Sequence, residues 1–122
     1  MNKKVKKLWI KALRSDEFLQ GTDFLNAQGK YCALGVLAVL GLLEGQCTYN
    51  QIDRVGCFDQ KKRSLSFNIL KWADIAQDQE RFLHPAEQEV IVTYKGKITT
   101  IAKLNDLGLS FREISHIIQK CL

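Results

Sequence analysis

The chain of 122 residues has few of the features that mark secreted, metal-binding or membrane-spanning proteins. Its four cysteines include no C-x-x-C pair and no metal-like spacing with either histidine, which argues against a zinc site and a disulfide-stapled secreted scaffold. Its uncharged stretch at residues 31–43 is shorter than the about 20 apolar residues that span a bilayer, and no secretory signal is evident. We therefore expect reduced thiols, no membrane association and a cytoplasmic location.

Motifs for catalysis and phosphate binding are also scarce. No phosphate-cradling glycine motif occurs, and the acidic residues are scattered rather than paired as general acid–base chemistry would need. We expect neither a metal nor a cofactor. No internal repeat, low-complexity tract or linker is present, so length and pattern predict one domain over residues 1–122.

Positive charge is concentrated near the start of the chain. The net charge is +5, and the first fourteen residues contain six lysines and arginines with no acidic residue. Residues 61–63 form a second basic run. A basic balance favours an anionic partner such as a nucleotide or nucleic acid, although it also serves solubility.

Residues 31–43, YCALGVLAVLGLL, predict the element around which the chain folds. A helix that is apolar on every face must be buried on every side, so we expect a central helix. Gly35, Ala38 and Gly41 recur every three residues and form a stripe where another backbone, or alternatively a ligand, can come close. The remaining faces offer these residues to the core: Leu34, Val36, Leu37, Val39, Leu40 and Leu43.

Apolar spacing and turn residues predict the other elements. Residues 46–64 read as a long loop with a short element around 51–58, and residues 77–87 as a connector that holds the only proline. The sequence thus predicts a mostly helical α+β domain with one or two small antiparallel β-hairpins. The expected segments are helices at 3–14, 65–76, 101–107 and 111–120, a turn at 16–21, and hairpins pairing 23–26 with 30–31 and 89–94 with 97–99.

The C-terminal stretch suggests a first hypothesis, a helix-turn-helix DNA reader. Its second helix would present Arg112, His116, Gln119 and Lys120 to a groove. The first helix would have barely two turns, however, and the acidic Asp106 and Glu113 repel phosphate.

A cysteine-dependent enzyme is a second hypothesis. Cys32 begins the central helix, where the helix dipole lowers the pKa of a thiol. The base would be His84 or His116, oriented by Asn105 or Asp106. The apolar surroundings of Cys32 favour an ordinary buried cysteine instead.

A binding pocket without chemistry is the third hypothesis. Arginine and lysine suit phosphates, aromatic rings stack on bases, and amide side chains read base or ribose edges. The candidate residues are Arg14, Lys30 and Arg112 for phosphate, Tyr31, Tyr94 and Phe111 for stacking, and Gln20 and Asn105 for base or ribose edges.

Three segments together resemble a family of small phage and prophage proteins, mostly without assigned function. Its pattern runs W-x-x-A-L-R-S-G-x-Y-x-Q-G-x-x-x-L, then Y-C-C-L-G-V-L, then L-N-D-x-G-x-S-F-x-x-I-A. This sequence departs from the pattern at Asp16 for glycine, Phe18 for tyrosine, Ala33 for the second cysteine and Ser115 for alanine, and residues 46–87 are not covered. The matching residues are Trp9, Ala12, Leu13, Arg14, Ser15, Gln20, Gly21, Leu25, Tyr31, Cys32, Leu34, Gly35, Val36, Leu37, Leu104, Asn105, Asp106, Gly108, Ser110, Phe111 and Ile114.

The resemblance implies a phage origin more firmly than an activity. Small phage proteins often counter bacterial defence, and one strategy is an oligomeric sponge for a nucleotide immune signal. Such a signal would be a cyclic ADP-ribose derivative or a cyclic dinucleotide. We therefore expect a non-enzymatic, homo-oligomeric anti-defence protein that acts in the bacterial cytoplasm and sequesters a small anionic nucleotide-type ligand.

Overall fold

The computed structural model describes residues 1–75 and 90–122. These residues form an α+β fold with five helices and seven short strands, as the sequence predicts. The predicted connector 77–87, the last residue of the predicted helix 65–76 and the first residue of the predicted strand 89–94 lie outside them. The elements in chain order are α1 (Lys3–Arg14), β1 (Leu19–Gln20), β2 (Asn26–Ala27), β3 (Lys30–Tyr31), α2 (Ala33–Leu43), β4 (Tyr49–Ile52), β5 (Val55–Phe58), α3 (Phe67–Ala73), β6 (Ile91–Tyr94), β7 (Lys97–Thr100), α4 (Ile101–Asp106) and α5 (Phe111–Cys121).

Helix α2 is the central element, as its uncharged sequence predicts. It begins two residues later than expected because Tyr31 belongs to β3 and Cys32 caps the helix, its Sγ accepting from the Gly35 N–H. Its first six residues are fully buried, but Leu43 is 77% exposed, so the prediction that it faces the core is wrong. Gly35 lies against the backbone of Leu25, which gives the small-residue stripe the close backbone approach expected of it.

Helices α1 and α5 come from opposite ends of the chain and pack side by side. On α1 the buried residues are Val5, Trp9 and Leu13, and the Trp9 Nε1–H donates to the Ala33 carbonyl at 2.9 Å. Ser110 caps the start of α5 in a capping box, in which Ser110 and Glu113 bond each other's backbone N–H groups. The sequence predicts both helices to within one residue.

A five-stranded sheet has the strand order β1-β3-β2-β5-β4. The β1–β3 pair is parallel and the other pairs are antiparallel. The prediction of a long loop at 46–64 is wrong, because β4 and β5 form a regular hairpin there. The turn expected at 16–21 is likewise cut short by β1, whose two residues pair with Lys30 and Tyr31.

Four two-residue turns have both central residues at positive φ, as type I′ turns require. Two of them, Gln28-Gly29 and Lys95-Gly96, contain glycine and connect the two hairpins that the sequence predicts. The other two, Asp53-Arg54 and Asp59-Gln60, have no glycine and lie within residues 46–64. The turns of residues 46–64 therefore lack the glycine that usually marks a tight hairpin in a sequence.

One face of the five-stranded sheet carries a cross-strand row of five residues. Strand partners share a face, so the observed register places Leu19, Lys30, Ala27, Val55 and Ile52 side by side across all five strands. Leu19 and Ile52, at the two ends, are 67% and 58% exposed. We call these five residues the sheet row.

The remaining elements agree with the sequence prediction. Ser66 caps α3 and Thr100 caps α4, and β6 pairs with β7 as a hairpin. Helix α3 differs from the prediction at both ends. It starts two residues later because Ser66 takes the capping position, and it ends at Ala73, before residues 74 and 75 of the predicted helix, because Asp74 adopts the left-handed conformation. Among the described residues, no helix is both long and apolar enough to cross a membrane.

Candidate functional site

A cleft of about 360 Å³ lies where the end of α1 meets the start of α5. Four of its lining residues, Arg14, Gln20, Phe111 and Arg112, are ligand-binding candidates from the sequence. The other lining residues are Leu13, Asp16, Phe18 and Ser110. The cleft therefore combines two guanidinium groups, two aromatic rings, one amide and one carboxylate.

Arg14 is held in place by three side chains of α5, none of which is a carboxylate. Its Nε donates to Ser115 Oγ at 2.9 Å and its Nη2 to Gln119 Oε1 at 3.0 Å, and Nη2 also lies 3.2 Å from His116 Nδ1. A guanidinium has five N–H donors, so in the described part of the chain the two on Nη1 remain for a ligand. Because none of these partners is a carboxylate that would neutralise it, Arg14 brings a positive charge in a fixed position to the cleft.

Gln20 belongs to a hydrogen-bond network that joins β1 to the loop before α5. Its Nε2 donates to the Leu109 carbonyl at 2.7 Å and to Asn105 Oδ1 at 3.0 Å, and its Oε1 accepts from the Phe111 N–H at 3.2 Å. Both of its donors are thus used, and only a second bond to Oε1 is left for a ligand. Gln20 chiefly holds the start of α5 in position.

Asn105 is almost fully buried behind Gln20. Its Oδ1 also accepts from the Ala33 N–H at 3.1 Å, and its Nδ2 donates to the Gly21 carbonyl at 2.8 Å. It ties α4 to the start of α2 and to the end of β1. It does not line the cleft, so its predicted contact with a base or ribose is replaced by a supporting role.

The aromatic rings of the cleft are placed by two elements. Phe111 begins α5, and Phe18 precedes β1 and meets the Tyr31 ring edge-on at 5.2 Å between centroids. Tyr31 is thus a neighbour of a cleft residue and not itself part of the lining. Burial is the larger cause of a raised pKa at Tyr31, and the nearby Tyr49 is the smaller one. The raised pKa keeps the Tyr31 hydroxyl protonated.

Asp16 places a carboxylate in the cleft lining. Its φ of 62° is in the left-handed region that glycine adopts without steric cost, and glycine is the residue in the pattern that this chain resembles. Aspartate tolerates this conformation better than most side chains. Its charge opposes binding of an anion.

Lys30 and Tyr94 lie away from the cleft, contrary to their expected roles beside the other candidates. Lys30 belongs to the sheet row, on the face of the sheet opposite to that of the paired residues Gln20 and Tyr31. Tyr94 is on β6, beside Thr93, whose carbonyl accepts from Cys121 at the C-terminal end of α5. The cleft residues are at the N-terminal end of that helix.

Cys32 does not have the lowered pKa that its helix position predicts. The thiol is 5% exposed, and burial raises its pKa to about 11 despite hydrogen bonds from Gly35 and Leu34. It is protonated at neutral pH, and a protonated thiol is a poor nucleophile. His116 bonds Arg14 instead, and His84 lies outside the described residues.

A cavity of about 180 Å³ beside Cys32 is lined by Asp23, Arg63, Ala102 and Asp106.

The helix-turn-helix hypothesis corresponds to α4, a short turn and α5. Two of the predicted groove residues, His116 and Gln119, bond to Arg14 of α1, and both remain exposed. Arg112 and Lys120, the other two predicted groove residues, are exposed as well.

Within the described ranges, no group of three histidine, cysteine, aspartate or glutamate side chains is arranged to hold a metal ion.

Three further residues line the cleft but are not among the ligand-binding candidates from the sequence: Asp16, Phe18 and Ser110. In the sequence, Ser110 stands out as a match to the phage pattern. Asp16 and Phe18 are departures from that pattern and lie in the predicted turn at 16–21, between Arg14 and Gln20. Their spacing from Arg14 was the available cue, because a chain that turns back after a helix brings such neighbours together.

Comparison with known proteins identifies the family of the chain. A family model described as a domain of unknown function (DUF8296) matches residues 1–122. The chain belongs to this family. No curated protein and no solved structure matches it.

Proposed function

We propose that this DUF8296 protein binds a small anionic nucleotide-type ligand in the cleft between α1 and α5 and withholds it without cleaving it. As the resemblance to phage proteins implies, the ligand is an immune signal of a bacterial host and the site of action is the host cytoplasm. A cyclic ADP-ribose derivative or a cyclic dinucleotide has the required chemistry.

The observation that carries the proposal is the meeting of Arg14, Arg112 and Phe111 at one cleft. Residues far apart in sequence supply a phosphate-binding fork and a stacking surface at the same place. A volume of about 360 Å³ is within the range of small-molecule sites, which is roughly 300–1,000 Å³. The fixed orientation of Arg14 supports binding because little side-chain freedom is lost when the ligand enters.

Sequestration is favoured over turnover by the chemistry of the lining. The side chains that could act as acid or base there are Asp16 and Ser110, and no histidine or cysteine is among the lining residues. The high pKa of Cys32 also weighs against the thiol mechanism. A homo-oligomer would suit a sponge, since symmetric copies can complete pockets between them.

The first test is native mass spectrometry of the purified protein before and after exposure to lysate from cells with an activated nucleotide-signalling defence. We expect a mass increment of several hundred daltons, about the size of one nucleotide ligand, that is released intact on denaturation. A cleaved product would instead indicate an enzyme. No increment would turn attention to a protein or DNA target.

Arginine variants then locate the site. Arg14→Ala and Arg112→Ala should each weaken binding of the released ligand about 10- to 100-fold, the effect of losing a charged hydrogen bond worth about 1.5–3 kcal/mol. Arg63→Ala is the matched control, because this guanidinium stacks on Phe24 and does not line the cleft. Equal affinity of all three variants in calorimetry would reject the assignment.

A further inference from the structure

We infer that the ligand of the cleft carries a second phosphate, separated from the first by a sugar, and that this phosphate lies in a neighbouring groove along α1. The ligand class is then a dinucleotide rather than a mononucleotide. The inference rests on the proposed function, because the first phosphate is placed in the cleft.

The groove is a second hollow, of about 550 Å³, that shares Arg14 with the cleft. Its other lining residues are Lys7, Ile10, Lys11, Ser15 and Gln119. The two hollows are therefore adjacent, with one guanidinium between them. A ligand that touches Arg14 from the cleft has the groove directly beyond it.

The charges of the groove favour an extended anion. Lys7, Lys11 and Arg14 are spaced i, i+4 and i+7, so they lie on one face of α1 and span about 10 Å of its length. None of the groove-lining residues is acidic, whereas the cleft contains Asp16. The more positive part of the joint surface is thus the groove.

The two hollows suit different parts of a dinucleotide. The cleft has the rings of Phe18 and Phe111 and the volume of one small ligand, while the groove is wider and has Ile10 as its apolar wall. A base and its phosphate fit the chemistry of the cleft. A sugar against Ile10 with a phosphate toward Lys7 and Lys11 fits the chemistry of the groove.

The test compares nucleotides with one and two phosphates on the same protein. The probes are the four ribonucleoside monophosphates and the matching 5′-phosphorylated linear dinucleotides, titrated by calorimetry at fixed salt. We expect a dinucleotide to bind at least tenfold more tightly than its mononucleotide. Lys11→Ala should remove most of this advantage and leave mononucleotide affinity unchanged.

Lys103→Ala is the matched control, because Lys103 is an exposed helical lysine on α4 that lines neither the groove nor the cleft. Equal binding of both probe classes, with no effect of Lys11→Ala, would overturn the inference and leave the proposed function standing. Binding of neither class by the unmodified protein would overturn the inference, whereas the proposed function is decided separately by the ligand released in native mass spectrometry. Affinity that rises steadily with oligonucleotide length and falls steeply with salt would overturn the inference in favour of nonspecific nucleic-acid binding.

Discussion

Arg54 has a backbone conformation that a side chain makes costly. It follows Asp53 in the β4–β5 turn, and both residues have positive φ, at 66° and 51°. The left-handed conformation brings Cβ close to the following carbonyl oxygen and costs roughly 1–2 kcal/mol for an ordinary residue. Glycine at this position gives the Asp-Gly turn that two-residue hairpins favour.

We expect Arg54→Gly to raise the free energy of unfolding by about 0.5–1 kcal/mol, since relief of this strain exceeds the added entropy of the unfolded chain. Urea denaturation measures the change. Arg54→Ala is the control, because alanine keeps the Cβ and should gain little. A glycine variant no more stable than the alanine variant would contradict the explanation.

At the scale of elements, the packing of α2 depends on one missing side chain. A Cβ on Gly35 would overlap the Leu25 carbonyl, whereas a Cβ on Gly41 would approach Ile69 and Trp72 side-chain atoms at 3.4 Å. Both glycines are in the same helix, so a change to alanine gives each the same gain in helix propensity, about 1 kcal/mol. Any difference between the two variants therefore reports packing.

Gly35→Ala is expected to lower the free energy of unfolding by about 2–3 kcal/mol, because backbone must move to admit the methyl group. Gly41→Ala should change it by less than about 1 kcal/mol, since side chains can adjust and helix propensity improves. Thermal and urea denaturation of the pair measures the contrast. Similar stabilities would show that Leu25 can shift at little cost.

The β4–β5 hairpin is joined to α3 through Asp59. Its carboxylate accepts from Ser66 Oγ at 2.6 Å, from the Thr48 N–H at 2.8 Å and from Thr48 Oγ1 at 3.1 Å. Partial burial raises the pKa of Asp59, but these bonds and one from Asn68 outweigh it, and the net pKa is lower than 3.8. Ser66 also caps α3, so one hydroxyl links the two elements.

This lowered pKa makes the joint sensitive to acid. A carboxylate whose pKa falls on folding contributes stability above its unfolded pKa of about 3.9 and loses that contribution as pH decreases through the folded value. We expect Asp59→Asn to be less stable than the unmodified protein at neutral pH and the difference to shrink below about pH 4. Denaturation at pH 7 and pH 3 measures it, with the exposed Asp53→Asn as control. A constant difference would contradict the assignment.

At the scale of the whole molecule, the sheet row is suited to a second copy of the chain. Two copies can pack face to face about a two-fold axis with their sheet rows running in opposite directions. In that arrangement Leu19 of one copy lies opposite Ile52 of the other, Lys30 lies opposite Val55, and Ala27 lies opposite Ala27. The small central residue allows close approach, and the lysine stem can lie over valine with its ammonium at the rim.

We expect the protein to self-associate through this face. Light scattering should give a mass above the 13.9 kDa of one chain, and Leu19→Lys and Ile52→Lys should each return it to the monomer. Leu43→Lys and Leu107→Lys add the same charge at exposed leucines outside the sheet row and should leave the assembly intact. A monomer at all concentrations would reject the interface.

Local sequence cues and strand register explain which parts of the fold and of the cleft could be predicted. The helices and the glycine-containing hairpins were predictable because caps, apolar spacing and turn residues are local cues. The β4–β5 hairpin was not, because its turns lack glycine. Among site candidates, Arg14 and Arg112 meet at the cleft, but Lys30 does not, since strand register decides which of two adjacent residues faces the helices.

The bond between Arg14 and Ser115 joins residues 101 positions apart. During translation the chain leaves the ribosome from its N-terminus, so α1 is made long before α5 exists to hold it. Every nascent chain therefore carries an unfinished cleft until residue 119 has emerged. A premature stop upstream of α5 would leave a chain without Phe111 and Arg112 in the cleft and without the Ser115 and Gln119 side chains that hold Arg14, so the complete cleft forms only in chains synthesised through that helix.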